Sequence, residues 1–148
     1  MAWRTITATD MLGVLNASEA AAYQIAAIGT LQDPLADATS AVVAQCRGYI
    51  ADNPANHLAA GETLPERTHL SAMHIIRVEL LTRLDMDVSK DRATAKTDAI
   101  RFFERVSDGR VGIEQPTDID AADTTSAPKC ETLNSRTRIA TRETMSGL

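Results

Sequence analysis

The chain has 148 residues, enough for one hydrophobic core and short of two. Its net charge of −5 and sequence pI of about 5.1 exclude a broad basic surface of the kind that grips phosphates, leaving only local basic patches. Hydrophobic residues make up 44% and aromatics only 3%, while Gly and Pro are few, a composition that favours helices and predicts an all-α fold. No stretch approaches the length of a membrane span, and MAWRTITATD lacks the charged-then-apolar layout of a signal peptide, so synthesis in the cytoplasm is the expectation. Cys46 and Cys130 lie far apart in such a chain and read as free thiols rather than a disulfide framework.

Two start signals overlap near the N-terminus. Thr7 with Asp10, and Asn16 with Glu19, each set a capping side chain three residues before an acid, predicting short helices over about 8–14 and 17–28. Asp33-Pro34 then supplies an N-cap followed by a proline at the first helical position. From there Leu35, Ala38, Val42, Cys46, Tyr49 and Ile50 recur at steps of three and four, one apolar face of a long helix that Asn53-Pro54 ends.

After the loop NPANHLAAGET, Thr63-Leu-Pro-Glu66 has the spacing of a reciprocal capping box. The helix it opens places Leu70, Met73, Ile76, Leu80, Leu81 and Leu84 on a buried stripe, widened by Ile75 and Val78 until it can touch two neighbours. Asp85-Met-Asp-Val-Ser89 reads as a turn, with Ser89 capping a last helix whose Ala95, Ala99, Ile100, Phe103 and Val106 face inward and which Gly109 stops. The predicted architecture is therefore a small helical bundle of two short N-terminal helices and three longer ones, the core over 1–114.

Beyond the core, residues 115–148 carry many Thr and Ser and only isolated apolar residues. Such a segment buries too little surface by itself to offset its chain entropy and is expected to be disordered alone. It is also polarised: Asp118, Asp120 and Asp123 precede Lys129, Arg136, Arg138 and Arg142. One reading is a solvated tail. The other is an extended arm whose arginines meet carboxylates on another subunit. As a strand, Arg136, Arg138 and Arg142 share one side while Ile139 points to the other.

Sequence motifs for catalysis are not found: no GxSxG, phosphate-binding glycine loop or CxxC occurs. His57, His69 and His74 lack ligand spacing, and Asp85, Asp87 and Asp91 lack the central glycine and closing Glu of a calcium loop, so neither a metal nor a cofactor is expected. Cys46 sits on the apolar stripe, the ordinary place of a structural cysteine.

Taken in order, the Thr-led N-terminal helices, the long helix ending near Arg47-Gly-Tyr49, the link to Leu64-Pro65, IIRVELLTRL and AIRFFERVSDGRVGI resemble the head–tail connector proteins of tailed bacteriophages and prophages (neck adaptors, or head-completion proteins), particularly the Mu-like kind. The likeness covers about 5–116, and the loop NPANHLAAGE departs from the shorter, more aromatic link of that family. The resemblance implies a non-enzymatic virion protein of the neck region. It would form a ring of typically about twelve copies, bound to the portal protein above and to tail, stopper or terminator proteins below. DNA would pass through the channel without sequence-specific binding. It further implies that the C-terminal arm holds the portal or a neighbouring subunit; the residue pattern offers Arg136, Arg138, Ile139 and Arg142 for that contact.

The mixed charge on the outer helix faces predicts a monomer in dilute solution, with rings forming on the portal. A helical DNA-binding regulator is the alternative. It would use 64–85, with Arg77 and Arg83 outward, or 89–108, with Arg92, Lys96 and Arg101 outward, as a recognition helix.

Overall fold

The computed structural model describes residues 3–29 and 32–117. Its elements run β1 (Trp3–Arg4), α1 (Ala8–Leu12), α2 (Ala17–Gly29), α3 (Pro34–Ala51), β2 (Leu64–Pro65), α4 (Glu66–Arg83) and α5 (Lys90–Ser107). The fold is the small helical bundle expected.

Local chemistry starts the first three helices as the residues suggest. Thr7 Oγ1 accepts from Asp10 N–H at 3.2 Å, while Asp10 Oδ2 accepts from Thr7 N–H at 2.9 Å. That backbone N–H is the main reason the Asp10 carboxyl lies below its usual range, with the Thr7 hydroxyl second. Asn16 and Glu19 exchange the same two bonds at 2.8 and 2.9 Å. Asp33 Oδ1 accepts from Leu35 N–H at 2.9 Å ahead of Pro34.

Helices α3, α4 and α5 pack on one another around the main core. Leu35, Ala38, Val42, Cys46 and Ile50 of α3, with Val43, meet Ala72, Ile75, Ile76 and Leu80 of α4 and Ala99, Phe103 and Val106 of α5. Tyr49 stacks on Phe103 with ring centroids 6.2 Å apart. Met11 and Leu15, from α1 and the turn after it, belong to the same core.

Three expectations need correction around α4. Thr63 and Glu66 do not form a capping box: Thr63 Oγ1 donates back to Ala60 O at 3.2 Å, and Pro65 occupies the N-cap with no side-chain cap bond. The cause is long-range. Leu64 and Pro65 pair antiparallel with Arg4 and Trp3, a two-residue ribbon that holds the chain extended up to Glu66 and leaves Thr63 outside the helix. Leu70 is 60% exposed, so the buried stripe is rotated from the one expected. Thr68 and His69 take the inner positions instead, Thr68 Oγ1 donating to Pro65 O at 2.8 Å and His69 Nε2 to Leu64 O at 3.1 Å. Ser89 has the extended backbone of an N-cap, yet its side chain makes no cap bond.

The loop after α3 is fastened rather than loose. Arg47 donates to Thr63 O at 2.9 Å and to Ala59 O at 2.8 Å, and Asn56 Nδ2 donates to Ile50 O at 3.3 Å. At the other end Gly109 adopts φ 73°, a conformation that strains any residue with a side chain, and a Cβ there would stand a tight 3.3 Å from Asn53 Nδ2. The chain after it returns over the bundle. Arg67 Nη1 donates to Gly112 O at 2.9 Å, Trp3 Nε1 to Glu114 O at 2.8 Å, and His57 N–H to Gln115 Oε1 at 3.1 Å.

Candidate functional site

Helix α2 positions the two features that stand out from an ordinary bundle. Its inner face is shallow, with Ala20 and Tyr23 half-buried against the core and the Tyr23 hydroxyl donating to Asp33 at 3.1 Å. Burial, then the Asp33 carboxylate, raises the Tyr23 pKa, so the phenol stays protonated as a donor. The outer face is different. Ala17, Ser18, Ala21, Gln24, Ile25 and Ile28 are all exposed and none is charged. Ile25 is 74% and Ile28 88% exposed, the two most exposed large aliphatics among the described residues.

The second feature is Glu19, 1% exposed although it is a carboxylate. Its Oε2 accepts from Arg77 Nε at 3.1 Å and Nη2 at 2.8 Å, and Oε1 pairs with the Arg92 guanidinium. One residue thus ties α2 to α4 and α5 together. A buried carboxylate is tolerated only when such partners replace its water. Arg77 and Arg92 therefore turn inward, correcting the expectation that both present themselves to solvent; Arg101, 68% exposed, does face outward.

Beside the arginines lies a cleft of about 190 Å3 between α4 and α5, lined by His74, Arg77, Val78, Asp91, Arg92 and Ala95.

The residues singled out from the sequence for partner binding, Arg136, Arg138, Ile139 and Arg142, lie outside the described residues, as does Cys130. The three histidines are dispersed: His57 is exposed, His69 buried under Leu64 O, and His74 at the cleft. Among the described residues no group of three His, Cys, Asp or Glu gathers in a metal-holding arrangement. Cys46 is buried on α3, where loss of water pushes its thiol up to about 12 and leaves no thiolate for nucleophilic work near neutrality. No described helix is long and apolar enough to cross a membrane.

Sequence reasoning missed both α2 features. Glu19 reads fully as a capping-box acid, and nothing local announces Arg77, 58 positions away, or Arg92, farther still. Ala21, Ile25 and Ile28 do carry a signal, since steps of four and three place them on one face. Compared with protein-family models, with curated proteins and with solved structures, the chain finds no match.

Proposed function

We propose that the chain is a structural assembly subunit, and that the assembly is the connector ring between portal and tail of a tailed bacteriophage or prophage particle. The observation that carries the first part is the uncharged outer face of α2, where Ile25 and Ile28 stand exposed with no covering neighbour among the described residues. Water contact of two adjacent isoleucines is a cost that another protein surface removes, and a bundle this small has little reason to retain it otherwise. The second part rests on the sequence resemblance over about 5–116 to Mu-like connector proteins.

In this reading the helical core forms a ring of about twelve copies that extends the DNA channel. Residues after about 115 form the arm, with Arg136, Arg138 and Arg142 meeting carboxylates on the portal or on a neighbouring copy and Ile139 packing beside them. One exposed ion pair contributes only about 0–1 kcal/mol, but a ring engages many in parallel. The negative net charge suits a wall past which DNA slides.

The DNA-binding alternative loses support from Glu19. Arg77 and Arg92, two of the five cations that reading would send to phosphates or bases, are held by a buried carboxylate.

The test is assembly in cells that produce the particle. Truncation after Gln115, or replacement of Arg136, Arg138 and Arg142 by Glu, is expected to leave helical content unchanged and to remove the protein from particles. Normal joining of heads and tails by the truncated chain would end the arm reading. A salt-dependent shift of duplex DNA by the isolated protein would favour the regulator.

A further inference from the structure

Glu19 does more than join three helices: it fixes two guanidiniums side by side at the wall of a cleft. Arg77 commits Nε and Nη2 to one carboxylate oxygen and Arg92 commits Nη1 to the other. A guanidinium carries five N–H donors, so each keeps donors with no partner among the described residues. Both side chains are held in place and largely covered, 17% and 23% exposed, which removes most of the rotamer freedom an arginine normally loses on binding.

The inner wall of the cleft carries an excess of positive charge that an acid at its rim offsets. Two guanidiniums face one buried carboxylate, and the remaining acid of the cleft, Asp91, is exposed in the first turn of α5. The walls add shape: Val78 and Ala95 are apolar, the His74 imidazole lines one side, and the volume suits a ligand of a few heavy atoms. Planar forks behind apolar walls match a carboxylate on a short aliphatic stem.

We propose that the cleft between α4 and α5 is a receptor for a single carboxylate carried on a short aliphatic stem, as an Asp or Glu side chain of a protein partner presents it. Arg77 and Arg92 supply the donors, Glu19 positions them, and Val78 and Ala95 receive the stem. Asp91 opposes the ligand's charge from the rim and weakens the site. The inference is independent of the connector reading, because it rests on the geometry around Glu19 alone.

The experiment is an amide chemical-shift titration of the full chain with propionate at constant ionic strength, with inorganic phosphate in a parallel arm. Saturable shifts centred on Arg77, Val78 and Ala95 are expected with propionate. Asp91→Asn, at an exposed position, should tighten binding roughly two- to fivefold, the scale of one exposed charge. Arg92→Lys retains a cation for Glu19 but not the planar fork, and should weaken binding roughly tenfold with the helical signal retained. Absence of saturation, shifts scattered over basic residues away from the cleft, tighter binding of phosphate than of propionate, or an Asp91→Asn variant of unchanged affinity would each overturn the proposal. Should Arg92→Lys fail to fold, the Asp91→Asn result decides.

Discussion

Trp3 and Glu114, 111 residues apart, are joined by a hydrogen bond of 2.8 Å from the indole Nε1 to the backbone carbonyl. The contact closes the described chain on itself, since Trp3 also pairs with Pro65 in the ribbon that introduces α4. Loss of the donor in Trp3→Phe should cost about 1 kcal/mol and release the segment after Gly109. Amide exchange is expected to quicken over 111–115 while α3 and α5 keep their protection. Uniform acceleration across the bundle would show that the contact is part of global folding instead.

Glu19 predicts a larger effect. Glu19→Ala leaves Arg77 and Arg92 without their shared partner in a partly covered site, and breaking such a buried pair costs about 3–5 kcal/mol. Replacing Glu79, whose pair with Arg83 is surface-exposed at 3.5 Å, should cost no more than about 0.5 kcal/mol. Denaturant unfolding of the two variants in parallel measures the difference. Equal midpoints would mean that Glu19 serves only as a helix-start acid.

Leu80 is fully buried midway along α4. Leu80→Ala should cost about 2–5 kcal/mol through lost transfer energy and a residual cavity. Thermal unfolding checks this, and a shift of less than about one degree would contradict the packing of α4 against its neighbours.

Cys46 gives the fold a pH limit. Its folded pKa of about 12 lies above the ordinary value of 9.0, because burial disfavours the thiolate. A raised pKa in an acid means that the neutral form is favoured by folding. The contribution is complete below pH 9.0 and is lost progressively as pH rises from there toward about 12. Cys46→Ser should flatten stability across that window. At pH 8 Cys46 should resist thiol reagents until the chain unfolds, as mass mapping of the modified site would record.

What the sequence made legible was local. Thr7 with Asp10, Asn16 with Glu19, Asp33 with Pro34, and Gly109 each act within a few residues, and each sits where its chemistry requires. What it concealed was decided at long range. The pairing of Trp3–Arg4 with Leu64–Pro65 involves two residues on each side, too few to leave an alternating pattern, yet it removes Thr63 from the start of α4. Leu70 falls on a plausible stripe and is exposed because Thr68 and His69 satisfy their polar atoms on the Pro65 and Leu64 carbonyls and occupy the inner face. Arg77 and Arg92 look like solvated cations until a carboxylate from α2 is placed between them. Ile25 and Ile28 were visible as a pattern, but only the packing of Ala20 and Tyr23 on the opposite side shows that this pattern faces outward.

On the proposed reading, the outer face of α2, with Ile25 and Ile28 exposed, is where the chain meets other subunits. Ile25→Glu combined with Ile28→Glu alters only exposed positions, so each change should move stability of the isolated chain by no more than about 0.5 kcal/mol. The decisive measurement is the amount of the variant in purified, head-and-tail-joined particles, set beside its melting temperature. An unchanged melting temperature with loss of the protein from particles, and heads left without tails, is the predicted result. Incorporation at the normal level, with normal joining, would contradict it.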